Sequence, residues 1–107
     1  MEEEVEETAE RVLRAALTAK GDSDETLRRQ VHAEAVNVAR AQRGSSSLDP
    51  ELADFVKAVA LHSNEANVGA LSKKGMSDDF IFEVAVVSAV SAGLFRMQEG
   101  LKAVRSK

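Results

Sequence analysis

The chain has 107 residues with no cysteine, tryptophan or tyrosine, a single proline, and a formal net charge of −4. That length supports one domain around one core, burying roughly 65% of the unfolded chain's surface. The missing thiols exclude disulfides, thiolate nucleophiles and cysteine-ligated metal centres, and the acidic balance argues against a nucleic-acid partner. Few aromatics and abundant Ala, Val, Leu and Glu favour an all-α fold.

The chain opens with MEEEVEE, the charge opposite of a signal peptide's first segment, and no apolar run follows it. Nor does any uninterrupted stretch reach the ~18 apolar residues of a spanning helix. These features predict a cytoplasmic protein with no membrane association. Charge is also uneven, with six Glu and no base in residues 1–10, and four bases with one Glu in 96–107. Acid at a first helical turn and base at a last one each complement the helix dipole, while an acidic docking tail is the other reading.

The first predicted helix runs from about Glu3 to Lys20, with Val5, Val12, Leu13, Ala16 and Leu17 on one side and Gly21 as its stop. Ser23 or Asp22 caps a second, to about Arg43, whose Leu27, Val31, Ala35, Val38 and Ala39 recur at helical spacing. Gly44-Ser45-Ser46-Ser47 reads as a loop. Asp49 at the N-cap and Pro50 at N1 start a third helix, which turns Leu52, Phe55, Val56, Val59 and Ala60 inward. The pattern turns polar at His62-Ser63-Asn64-Glu65, which predicts a break, with Ser63 capping a short helix to Lys74 and Gly75 closing it.

Ser77-Asp78-Asp79 opens the last helix. Ser77 is the N-cap, the two acids suit the positive dipole end, and Met76 and Ile81 form a hydrophobic staple. From Phe80 to Phe95 only Glu83, Ser88 and Ser91 interrupt the apolar residues. A helix apolar on nearly every side must be surrounded, which in so short a chain predicts burial against a second subunit as well as within its own fold. The small residues Ala85, Ser88, Ala89, Ala92 and Gly93 favour close helix approach.

From Leu48 to Val104 the sequence resembles the carboxymuconolactone decarboxylase-like, or AhpD-like, family. The resemblance lies in Leu48-Asp49-Pro50-Glu51-Leu52, in the run from Gly75 to Glu83, and in Ala89-Val90-Ser91-Ala92-Gly93-Leu94. It implies one domain over 1–107: an antiparallel bundle with an N-terminal helical pair (1–47) and a family-like core (48–107), assembled as a homo-trimer or hexamer. Peroxidase members carry C-x-x-C-x-x-x-H ahead of this glycine, with a His between the cysteines and a Glu upstream. Here the cysteine positions fall on Ala60 and Ser63, the trailing His on Asn67 and the Glu near Leu48; only His62 matches. Serine and alanine cannot run a dithiol–disulfide cycle, so thiol peroxidase activity is not expected.

Two functional readings remain. One is a small-molecule-binding or structural module, with Ser63, Asn67 and Glu83 as candidate ligand-binding residues. The other is a cofactor-free decarboxylase or lactone-transforming enzyme, which the decarboxylase branch of the family implies. There His62 acts as general base, oriented by Glu51 or Glu65. Set against these is the plainer reading of His62 as a surface or loop-edge histidine and Ser63 as a cap. Glu83, in the most apolar helix, must be ion-paired or proton-handling, with Arg40, Arg43 or Lys57 as partners. Ser88 and Ser91 read as serines bonded back to the i−4 carbonyl. His32 reads as partly exposed without function, and no His spacing supports a metal site. No cofactor is expected.

Overall fold

The computed structural model describes residues 2–40, 48–61 and 66–105, and every regular element among them is an α-helix. The elements are α1 (Glu2–Thr18), α2 (Glu25–Ala39), α3 (Pro50–Ala60), α4 (Val68–Lys73) and α5 (Asp78–Arg105). The chain is all-α.

The long axis belongs to α5. Its 28 residues span about 42 Å at the α-helical rise, most of the molecule's 49 Å length. α1, α2 and α3 lie against it, α2 most extensively, and α4 touches its start. The core forms where Val31 and Ala35 of α2, Leu52, Phe55 and Val56 of α3, and Leu71 of α4 meet Ile81, Val84, Val87 and Ala92 of α5. Each large apolar side chain buried there contributes about 1.5–3 kcal/mol relative to exposure. α2 thus packs into the same core as α3, α4 and α5.

α1 runs antiparallel to α5. Its acidic start meets the basic end of α5 at Glu6 and Arg105, 3.4 Å apart. Its far end reaches the loop at Asp22 and Ser23, which hydrogen-bonds Glu83 at the opposite end of α5. The uneven charge of the sequence thus has a use within the fold: the two ends face one another.

Several local signals act as their chemistry dictates. The Asp49 carboxylate accepts the Glu51 N–H at 3.0 Å ahead of Pro50. Ser77 accepts the Phe80 N–H at 3.0 Å, and Gly75 takes φ +87° as the C′ residue after α4. Three boundaries differ from expectation. α2 is capped by Asp24, whose carboxylate accepts the Leu27 N–H at 2.7 Å, because Ser23 and Asp22 are bound elsewhere. α2 ends at Ala39 rather than near Arg43. α4 starts from an Asn67 cap, while the expected cap Ser63, with His62 and Glu65, lies outside the described residues.

Within the single chain α5 is not covered on every side. Phe82 is 68% exposed, and Ala89 and Gly93 are open as well. An 18-residue window of this helix has a mean hydropathy of 1.7. By length and composition it therefore reaches membrane-spanning size, which a count of uninterrupted apolar residues misses. Length and composition alone are weak grounds, since the core helix of a soluble bundle meets the same measure.

Candidate functional site

A cleft of about 330 Å³ opens between α3 and α4, lined by Glu51, Asp54, Phe55, Asn67 and Ala70. It adjoins a second hollow of about 400 Å³ that shares Glu51, Asn67 and Ala70 and extends over Gly69, Lys73 and Lys74. The local sequence explains why these groups converge. Asp49 and Pro50 fix the direction of α3, so Glu51 projects from its first turn and Asp54 from its second, and Phe55 forms the apolar floor, 5% exposed. Across the gap, Asn67 caps α4 with its side-chain carbonyl accepting the Ala70 N–H at 3.1 Å. Its amide NH₂ is left as a donor beside the cleft.

The electrostatics of this rim are mixed. The Lys74 ammonium clamps both oxygens of Asp49 at 2.8 Å and lies 3.5 Å from Glu51. The Lys74 hydrogen bond is the largest influence holding the Asp49 carboxyl below its ordinary pKa, and the same bond raises that of Lys74. Lys73 lines the cleft with no ion pair among the described residues. The arrangement suits a small molecule with an apolar body over Phe55 and Ala70, an anionic group toward Lys73 and an acceptor toward Asn67.

Of the residues the sequence nominates, Glu51 and Asn67 come together here. His62, Ser63 and Glu65 lie outside the described residues. Glu83 sits elsewhere, at the start of α5. It accepts the Asp22 N–H at 2.9 Å and the Ser23 hydroxyl at 2.9 Å, and pairs with Arg28 at 2.8 Å. Arg28, 2% exposed, donates onward to the carbonyls of Leu17, Ala19 and Ser23. Burial pushes the Glu83 carboxyl up, but these donors prevail and its pKa falls below the ordinary value.

Among the described residues the partner of Glu83 is therefore Arg28, not Arg40 or Lys57, and Arg43 lies outside the described residues. Arg40 stacks over the Phe95 ring, 5.2 Å from its centroid. Residues 28, 31, 35 and 38 share the apolar face of α2, and that spacing was the available signal for a buried arginine. Gly21 belongs to the same cluster. A Cβ there would lie 2.9 Å from an Arg28 guanidinium nitrogen and closer still to the Glu83 carboxylate.

His32 forms a third polar contact, its Nδ1 lying 2.7 Å from Ser91 Oγ. Burial, with a smaller contribution from the Arg29 charge, lowers its pKa. Ser88 bonds back to the Val84 carbonyl at 2.7 Å as expected, whereas Ser91 turns to His32 instead. Ser91 is 1% exposed in the middle of a helix, so the pair is a packing contact across α2 and α5. Among the described residues no group of His, Asp and Glu is arranged to hold a metal. Compared with protein-family models, curated proteins and solved structures, the chain gave no match in any of the three.

Proposed function

We propose that this chain is a non-redox, AhpD-like or carboxymuconolactone decarboxylase-like protein of the cytoplasm. In this reading it is a homo-oligomeric bundle that binds a small carboxylate or lactone between α3 and α4. The observation that carries the binding reading is the meeting of Glu51 and Asn67 across one cleft over Phe55, beside Lys73. Titrating ¹⁵N-labelled protein with succinate and with γ-butyrolactone tests it. The expected result is a set of saturable amide shifts confined to residues 49–55 and 67–74, weakened by Lys73→Ala. No saturable shift with either probe at tens of millimolar rules the reading out.

The catalytic alternative draws support from the same carboxylate, since Glu51 lines the cleft and can accept a hydrogen bond from a substrate hydroxyl there. If turnover of a lactone or β-keto acid is detected, Glu51→Gln should lower kcat by about 10²-fold or more. Retention of full kcat removes Glu51 from the chemistry.

A further inference from the structure

The cleft between α3 and α4 has two charges left over. Lys74 engages both Asp49 oxygens and lies 3.5 Å from Glu51, so those three groups answer one another within the chain. Asp54 and Lys73 take no part in this, and neither makes an ion pair among the described residues. They also stand apart. Asp54 lines the first hollow and not the second, and Lys73 the second and not the first.

Helix geometry produces this arrangement. Glu51 and Asp54 stand at i and i+3 on α3, and Ala70 and Lys73 at i and i+3 on α4, so each pair occupies one face of its helix. Glu51, Asn67 and Ala70 border both hollows and join them, with Phe55 in the first. A monocarboxylate that meets Lys73 leaves Asp54 unanswered, and a dicarboxylate brings like charge toward it. An α-amino acid holds both its charges on one carbon, whereas Asp54 and Lys73 border different hollows. A ligand whose opposite charges are parted by a methylene chain matches the cleft at both ends and along its apolar middle.

We propose that the cleft takes a short ω-amino acid, with its carboxylate at Lys73, its ammonium at Asp54 and its methylene chain along Ala70 beside Phe55. The Asn67 amide NH₂ is a further donor to the carboxylate. This inference rests on the cleft binding proposed above and adds the second charged group of the ligand. Exposed ion pairs are individually weak, so the ammonium and the carboxylate should each raise affinity about two- to fivefold.

Amide-shift titration of the full ¹⁵N-labelled chain with 4-aminobutanoate, butanoate, butylamine and succinate tests it. 4-Aminobutanoate should bind about two- to fivefold more tightly than butanoate or butylamine. Asp54→Asn should abolish the gain over butanoate while leaving succinate binding unchanged or stronger, and Lys73→Gln should abolish the gain over butylamine. Both side chains are exposed, so both variants should melt as the wild type does. Equal affinities for 4-aminobutanoate and butanoate, with saturable shifts in residues 49–55 and 67–74, keep the cleft and overturn the ω-amino acid. Asp54→Asn weakening all four probes alike also overturns it, since that carboxylate would then act only through the fold. No saturable shift with any probe removes both the cleft reading and this one.

Discussion

Glu83→Ala removes the carboxylate facing Arg28 and offers the most direct test of how α5 is tied to the rest of the fold. Arg28 is 2% exposed and Glu83 19%. Stripping one partner from a fully buried ion pair costs about 3–5 kcal/mol. The partial exposure of Glu83 and the backbone carbonyls that still accept from Arg28 reduce this to about 2–3 kcal/mol. In urea, with a slope of about 1–2 kcal/mol/M for a domain of this size, the midpoint should fall by roughly 1–3 M at pH 7.

The pH dependence supplies the second half of the test. The folded carboxyl has a lowered pKa, so in acid the unfolded chain takes up the proton first. The stabilisation is complete above the ordinary glutamate pKa of about 4.3 and is lost as pH falls through the lower folded value. The gap between wild type and Glu83→Ala should therefore close in acid. Arg28→Met combined with Glu83→Leu should cost less than either single change, because no charge is left stranded. A single-variant loss below about 0.5 kcal/mol at pH 7, or a gap unchanged in acid, refutes the account of Arg28 as a buried cation dependent on Glu83.

Other consequences are simpler. Gly75→Ala forces an L residue to φ +87° with open space around its Cβ, so it should cost about 1–2 kcal/mol through backbone alone; Gly75→Asn should cost less, and thermal melts compare the two. His32 should titrate below its ordinary 6.5 in NMR. Because the unfolded histidine binds the proton first, its contribution to stability falls as pH drops below that value and through the folded pKa. Ser91→Ala should lose about 1 kcal/mol by removing the hydroxyl beside Nδ1. Asp49→Asn should raise the amide-exchange rate at the start of α3 and release Lys74, visible as a downward move of the Lys74 ammonium pKa in NMR.

How much was legible in the sequence depended on the range of the interaction. Asp49-Pro50 and Ser77-Asp78-Asp79 announced their helices because a cap satisfies N–H groups two or three residues away. The stop at Gly75 was equally local. The start of α2 was misplaced although Asp22, Ser23 and Asp24 all suit a cap. α5 decides among them, since Glu83 takes the Ser23 hydroxyl and Asp22 accepts the Ser77 hydroxyl at 2.5 Å. Asp24 is the one left for the cap. In the same way Arg28 and Arg29 look alike in sequence, yet Arg29 makes a surface contact with Glu25 at 3.6 Å while Arg28 is buried.

The amino-acid sequence by itself determined that this chain is helical, where α3 and α5 start, and that it carries no thiol, since each follows from local backbone satisfaction or from atoms present or absent. Tertiary structure alone decided which acid meets which base, that Glu51 and Asn67 share a cleft, and which face of α5 stays open. Those outcomes join residues up to 99 positions apart. Their geometry is set by how helices pack, which spacing along a single helix does not encode.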